Sequence, residues 1–378
     1  MTGYKTAASL SQHSPPLSLF TSTSIIMKLL ALVSAFLFTT TTLALPNSRG
    51  KPSKGTWQTL PSISDLPRQE HVTLALSPSS LAIFGGILPT NDISSPLPYS
   101  TTNILQIYSI PNKTWTLAAP APLALNHPNA AVVDGKIYLL GGLTEVDNWA
   151  WRPSPLSFVY DPKTNQWADL PPLPDSHTPR GSAAMGVHNG VVYLAGGLTI
   201  LPLIPELGPQ QTTDVVSAFD TKTNTWLTLP PKARRLPEGR DHAGAAVYKD
   251  KFYVLGGRRD GQDNVKDTVY ELDLKRLGKG WVVEKGRMPT ARGGVAAARV
   301  GGRVFVLGGE GNKVNGTEGV FPQVEVYDVE RDKWERLGGM EVPRHGTSAV
   351  GVGGGVYVPG GGVRQGGAPV STFDVFWP

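Results

Sequence analysis

The chain reads as short apolar, β-rich runs broken by turn formers. Ala130–Val133 enters a tight turn at Asp134-Gly135 and returns as Lys136–Leu140, and the same pattern recurs around Asn189-Gly190. Asp-Gly and Asn-Gly at such places favour two-residue hairpins. The returning runs end in a glycine doublet: Gly85-Gly86, Gly141-Gly142, Gly196-Gly197, Gly256-Gly257, Gly308-Gly309 and Gly360-Gly361. Successive doublets are 56, 55, 60, 52 and 52 residues apart. A period near 50 marks an array of supersecondary units.

Other residues recur in phase with the doublets. An aromatic stands three residues before five of them: Tyr138, Tyr193, Tyr253, Phe305 and Tyr357. The first repeat has Ala82 there. After each doublet comes Tyr108, Tyr160, Phe219, Tyr270, Tyr327 or Phe373. A Trp follows seven residues later at Trp115, Trp167, Trp226 and Trp334, and eleven later at Trp281. The large aromatics are read as packing between units.

Together the doublet, the spaced Tyr and the Trp resemble the kelch repeat over nearly all of residues 56–378. That resemblance implies an all-β, six-bladed β-propeller with four antiparallel strands per blade. The sixth repeat reaches Phe373–Phe376 and stops at Pro378, without room for a fourth strand. Thr56–Pro61 matches the fourth-strand pattern of Trp226–Pro230. The N-terminal strand is therefore expected to complete the last blade and leave no open edge in the ring.

Composition agrees: 43 Gly and 33 Pro suit many turns. The absence of Cys excludes disulfides, thiolate nucleophiles and Cys-bound metals. The formal net charge of +5 comes from scattered basic residues without interleaved aromatics, so no nucleic-acid partner is expected. Residues 1–26 read as an upstream extension or a misplaced start. From Met27, Lys28, the apolar run Leu29–Phe38 and Thr42-Leu43-Ala44 form a secretory leader over 27–44. Its apolar run is too short to span a bilayer. A short linker, 45–55, precedes the propeller at 56–378. Secretion agrees with glycosylation sequons at Asn112 and Asn315.

In a four-stranded blade, the loops joining strands two and three share a face with those leading to the next blade. Function is expected there. Arg180, Arg240, Arg292 and Arg344 stand sixteen residues before their doublets, and Arg68 seventeen. His71, His127 and His242 stand fourteen before, with Glu70, Asp241 and His345 beside these positions. Trp149 and Trp151 lie in a loop outside the repeat pattern. The five Arg, His345 and the two Trp are candidates for ligand binding. His71, His127, His242, Glu70 and Asp241 are candidates for catalysis.

Converging guanidiniums would suit carboxylate, phosphate or enolate groups. The expectation is a secreted, monomeric binding propeller for a small anionic or polar molecule, a glycan or a protein partner, with no cofactor and no metal. The alternative is a cofactor-independent isomerase, epimerase or cyclase acting on a carbohydrate or specialised metabolite through His or Glu. A bacterial sialate epimerase of the kelch class offers an analogy. The copper radical oxidases of that class need a Tyr–Cys cross-link, which a chain without Cys lacks.

Overall fold

The computed structural model describes residues 55–63, 66–92, 97–147 and 149–378. The extension 1–26, the leader 27–44 and the linker up to residue 54 lie outside the described residues.

The described chain is a six-bladed propeller with almost no helix. Blade 2 runs through Ala130–Val133, Lys136–Asp147, Ala150–Asp161 and Gln166–Leu170 as successive antiparallel neighbours. The first strands of successive blades pack against one another in a closed circle from Val72–Ser77 through Val350–Val352 and back. Those strands therefore surround the axis. Asp134 and Gly135 both have positive φ, as do Asn189 and Gly190, which gives the mirror-image hairpin turn their sequences favour.

Blade 6 is closed as expected. Thr56–Thr59 pairs with Phe373–Trp377, setting Trp57 opposite Phe376. Two kinds of stitch hold blade to blade, and a third ties each blade to its own strands. First, every fourth-strand Trp donates its indole N–H to a carbonyl at the end of the preceding blade. Trp167 reaches Ala119 O at 2.9 Å, Trp226 Pro171 O at 3.1 Å, and Trp57 Gly339 O at 2.9 Å. Trp57 thus behaves as the sixth member of the series, although it lies at the other end of the chain.

Second, the doublet glycines meet the following blade. Gly197, Gly257, Gly309 and Gly361 donate their N–H to the carbonyls of Arg240, Arg292, Arg344 and Arg68 at 2.7–3.0 Å. A Cβ on Gly196 or Gly308 would sit 2.1 Å from such a carbonyl. That close approach, at positive φ, is why glycine recurs there. Third, the Arg guanidiniums anchor each blade to its own strands. Arg180 donates to Gly196 O at 2.6 Å and Leu194 O at 3.1 Å. Arg292 and Arg344 repeat the pattern on Gly308 and Val306, and on Gly360 and Val358. The sixteen-residue interval between Arg and doublet is the span of this bond.

Candidate functional site

Two residues after each Arg position, the chain turns at the axis. Glu70, His127, Ser182, His242, Gly294 and Gly346 all take left-handed φ, between 48° and 64°. Their backbones link across the axis. Ser182 donates to His127 O, His127 to Glu70 O, Glu70 to Gly346 O, Gly346 to Gly294 O, and Gly294 to His242 O, at 2.6–3.1 Å. Six blades thus present six equivalent residues, four of them with side chains, to one small ring. Glu70, not His71, holds the first blade's place. The longer turn at Ser77–Ser80 makes the count back from the first doublet one residue too short.

The ring is lopsided. Gly346 leaves room for the Glu70 carboxylate, since a Cβ there would lie 2.3 Å from Oε1. A second tier pairs the residue before each ring position with the residue after each doublet. In blades 1–3 that tier carries Ile87, Leu143 and Leu198, packed with Trp151. In blades 4 and 5 it pairs Asp241 with Arg258, and Gly293 with Glu310. Charge is thereby concentrated on one side of the axis.

There the side chains form one network. His127 Nε2 lies 3.2 Å from Glu70 Oε2, and His242 Nε2 lies 3.6 Å from the same oxygen. His242 Nδ1 is 2.7 Å from Asp241 Oδ1. Arg258 donates Nε to Asp241 at 2.9 Å and a terminal nitrogen to Glu310. His345 Nδ1 sits 3.3 Å from Glu310 and 3.9 Å from Glu70. Gln210 and Thr212 donate to Asp241.

Burial alone would raise the Glu70 carboxyl, but His127, His242 and His345 outweigh it and hold Glu70 well below the ordinary carboxylate range. Burial pushes His127 down to about 4. Burial and Arg258 also pull on His242, yet its bonds to Asp241 and Glu70 prevail and raise it. Two imidazoles whose proton affinities are displaced in opposite directions therefore flank one carboxylate.

The ring caps a cavity of about 250 Å³ along the axis. Glu70, His127, His242, Ser182, Gly294 and Gly346 line one end of it. Leu74, Met185, Ala245, Ala297 and Ala349 continue down the first strands. Apolar walls under a polar end are the make-up of a small-molecule site.

The sequence comparisons agree with this architecture. A kelch-like protein from Aspergillus terreus, terF, is 41% identical over 339 residues, covering 89% of this chain and 70% of the relative. The chain belongs to the kelch family. The KLHDC2/KLHL20/DRC7 Kelch-repeats domain matches residues 206–362, and the Kelch motif matches 124–174. Beta-scruin of Limulus polyphemus is 26% identical over 76% of this chain and 29% of its own length. The solved structure of YjhT superposes with a TM-score of 0.65 at 19% identity, covering 83% of this chain and 95% of that one. Kelch propellers generally serve as scaffolds for protein partners.

Within this kelch propeller, the expected site residues separate. Glu70, His127, His242 and Asp241 come together, with His345 adjoining. His71 stands apart, its Nε2 held 3.0 Å from Pro359 O. Arg68, Arg180, Arg240, Arg292 and Arg344 do not turn to the axis. They are 0–1% exposed and their guanidiniums are occupied within their own blades, by Gln106, Ser217, Tyr270, Glu325 and Asp374 among others. Trp151 is buried with its ring 6.1 Å from that of His127, whereas Trp149 is half-exposed at the tip of the blade 2 hairpin. Glu310 and Arg258 were not among the site residues expected from the sequence. Their signal was available: both follow a doublet where blades 1–3 carry an apolar residue.

Proposed function

We propose that this kelch propeller is a proton-transfer enzyme, an isomerase or cyclase, acting on a small polar molecule in the axial cavity. One observation carries the reading: Glu70 Oε2 is shared by His127 and His242, whose affinities for a proton are pushed apart. Groups displaced in opposite directions make a base and an acid in one site. His127, the weaker holder of a proton, is the base and His242, the stronger, the acid, with Asp241 and Glu70 holding them. The substrate class shifts from anionic to neutral and polar, because the five repeat arginines are buried within their own blades, away from the axial cavity. A hydroxylated carbonyl compound, including an open-chain sugar, fits such a site.

The test is hydrogen exchange at carbon. The protein in D₂O is given a panel of hydroxyketones and reducing sugars, and ¹H NMR follows loss of the C–H signals next to the carbonyl. Enzyme-dependent exchange, slowed on the order of 100-fold in Glu70→Gln, is expected. No exchange above buffer for any compound would overturn the reading.

A second reading, a protein-binding scaffold, is favoured by the half-exposed Trp149 at a hairpin tip. Trp149→Ala would abolish partner capture and leave carbon exchange unchanged.

We also read the chain as secreted. Support comes from the leader pattern over 27–44 and from Asn112 and Asn315, which lie on exposed turns. Expressed with its own leader in a secreting eukaryotic host, the protein is expected in the medium with Leu45 at its N-terminus and glycan-shifted mass. Retention inside the cell with an uncleaved N-terminus would contradict this.

A further inference from the structure

We propose that Glu70, His127 and His242 form a binding site for one divalent first-row transition metal ion, with its open coordination position facing the axial cavity. This rests on the same site as the proposed activity and deepens it.

The donor geometry fits. The carboxylate oxygen and the two imidazole nitrogens lie within 4.8 Å of one another. His127 Nε2 and His242 Nε2 are 3.2 and 3.6 Å from Glu70 Oε2. Ligands at ~2.1 Å around a tetrahedral ion have neighbouring donor atoms ~3.4 Å apart, so the two observed distances straddle the ideal.

The hydrogen-bond pattern asks for a cation there. Asn126 spends its amide N–H groups on Thr101 and Thr144, so its Oδ1 is the atom facing His127 Nδ1 at 2.6 Å. His127 Nδ1 must therefore carry the proton, and Nε2 of the neutral ring turns a lone pair toward a carboxylate. His242 is fixed likewise: Asp241 accepts from Nδ1, leaving Nε2 toward Glu70. His345 repeats the theme. Its Nε2 faces the Arg364 carbonyl at 2.8 Å, while its buried Nδ1 has no hydrogen-bond partner and looks at Glu310 and Glu70. Lone pairs aimed at carboxylates repel unless a positive charge lies between them.

Charge balance gives the size of that deficit. Glu70, Asp241 and Glu310 oppose Arg258 alone when the imidazoles are neutral, which leaves two negative charges uncompensated. A divalent ion supplies that amount. Arg258 competes for His242 Nε2 from 3.3 Å, but it keeps Asp241 and Glu310 when the lone pair is taken. Asn126 and Asp241 are then the outer partners that fix the ring tautomers of metal-binding His. Two imidazoles and a carboxylate suit zinc, iron(II) or cobalt(II) rather than calcium or magnesium. Three protein ligands leave a position for water or substrate; with both imidazoles taken as ligands, the ion would polarise the carbonyl as a Lewis acid and a hydroxide on it would replace His127 as the base. The sequence reading expected no metal; it had Glu70 only as a neighbour of the His positions.

The experiment uses the full-length secreted protein, stripped with chelator and titrated with CoCl₂ and, separately, ZnCl₂. One equivalent of Co²⁺ is expected to bind with visible d–d absorption, and Zn²⁺ to displace it. Calorimetry in two buffers of different ionisation enthalpy should show proton release. Glu70→Gln and His127→Asn should each weaken Co²⁺ binding at least 100-fold, and Asp241→Asn by 10–100-fold, with circular dichroism unchanged. Asn112→Gln, on a distant exposed turn, should bind as wild type. No stoichiometric binding, or binding equal in all variants, would overturn the site. Carbon exchange that falls in Glu70→Gln, with no stoichiometric Co²⁺ binding, would overturn the metal and leave the proposed activity standing. Metal binding without any exchange would do the reverse.

Discussion

At the residue scale, the repeat Arg and the axial His look alike in sequence and differ wholly in employment. Arg292 is fully buried against Glu325 and three carbonyls. Removing one member of a buried pair strands the other, so Arg292→Leu should cost about 3–5 kcal/mol in denaturant unfolding and leave cavity chemistry intact at permissive temperature. An unchanged midpoint would refute the anchoring role. Gly346 is the complementary case. Alanine there would face a positive φ of 57° and the Glu70 carboxylate 2.3 Å away. Gly346→Ala should cost about 1–3 kcal/mol and, by displacing the Glu70 carboxylate, also depress exchange activity. Stability loss with full activity would mean that Glu70 does not act from its observed position.

At the element scale, the strands, hairpins and closing strand were legible because their causes are local or periodic. Asp134-Gly135 specifies its own turn, the doublets repeat, and Trp57 carries the same signature as Trp226. What escaped sequence reading depends on tertiary placement. One inserted residue in the Ser77–Ser80 turn moved Glu70 out of register, and nothing local announces that Glu310 and Arg258 reach the axis. The Arg positions were legible as a series, but whether a guanidinium faces a carbonyl of its own blade or a cavity is decided only when the blade closes on itself. Trp57 offers a test at this scale. It donates to Gly339 O and packs 5.1 Å from Phe376. Trp57→Ala should cost about 2–4 kcal/mol, like loss of a core aromatic. Deleting 56–61 should cost more still. Melting identical to full length would refute ring closure.

At the scale of the whole molecule, the ring concentrates buried titratable groups at the one place where all blades meet, and stability should follow pH accordingly. Burial pushes His71 down to about 3 and His127 down to about 4, from an ordinary value of 6.5. Both stay neutral when folded and take up protons when unfolded. Their contribution is complete above pH 6.5 and is lost as pH falls toward 4 and 3. Glu70, Asp241 and Glu310, all held low, extend that loss further into acid. His242, held high, works in the opposite sense: its contribution is full below pH 6.5 and lost as pH rises through its raised value. Thermal melts should therefore show Tm falling from pH 7 to 4, and His71→Gln should flatten that fall.

The central claim is that Glu70 and His127 act as one unit on a molecule in the axial cavity, and a double-variant cycle on the carbon-exchange rate tests it most directly. Groups acting together lose their effect once, so Glu70→Gln, His127→Asn and the double variant should be slowed by similar factors. Single losses that multiply in the double variant, or single variants as fast as wild type, would contradict it.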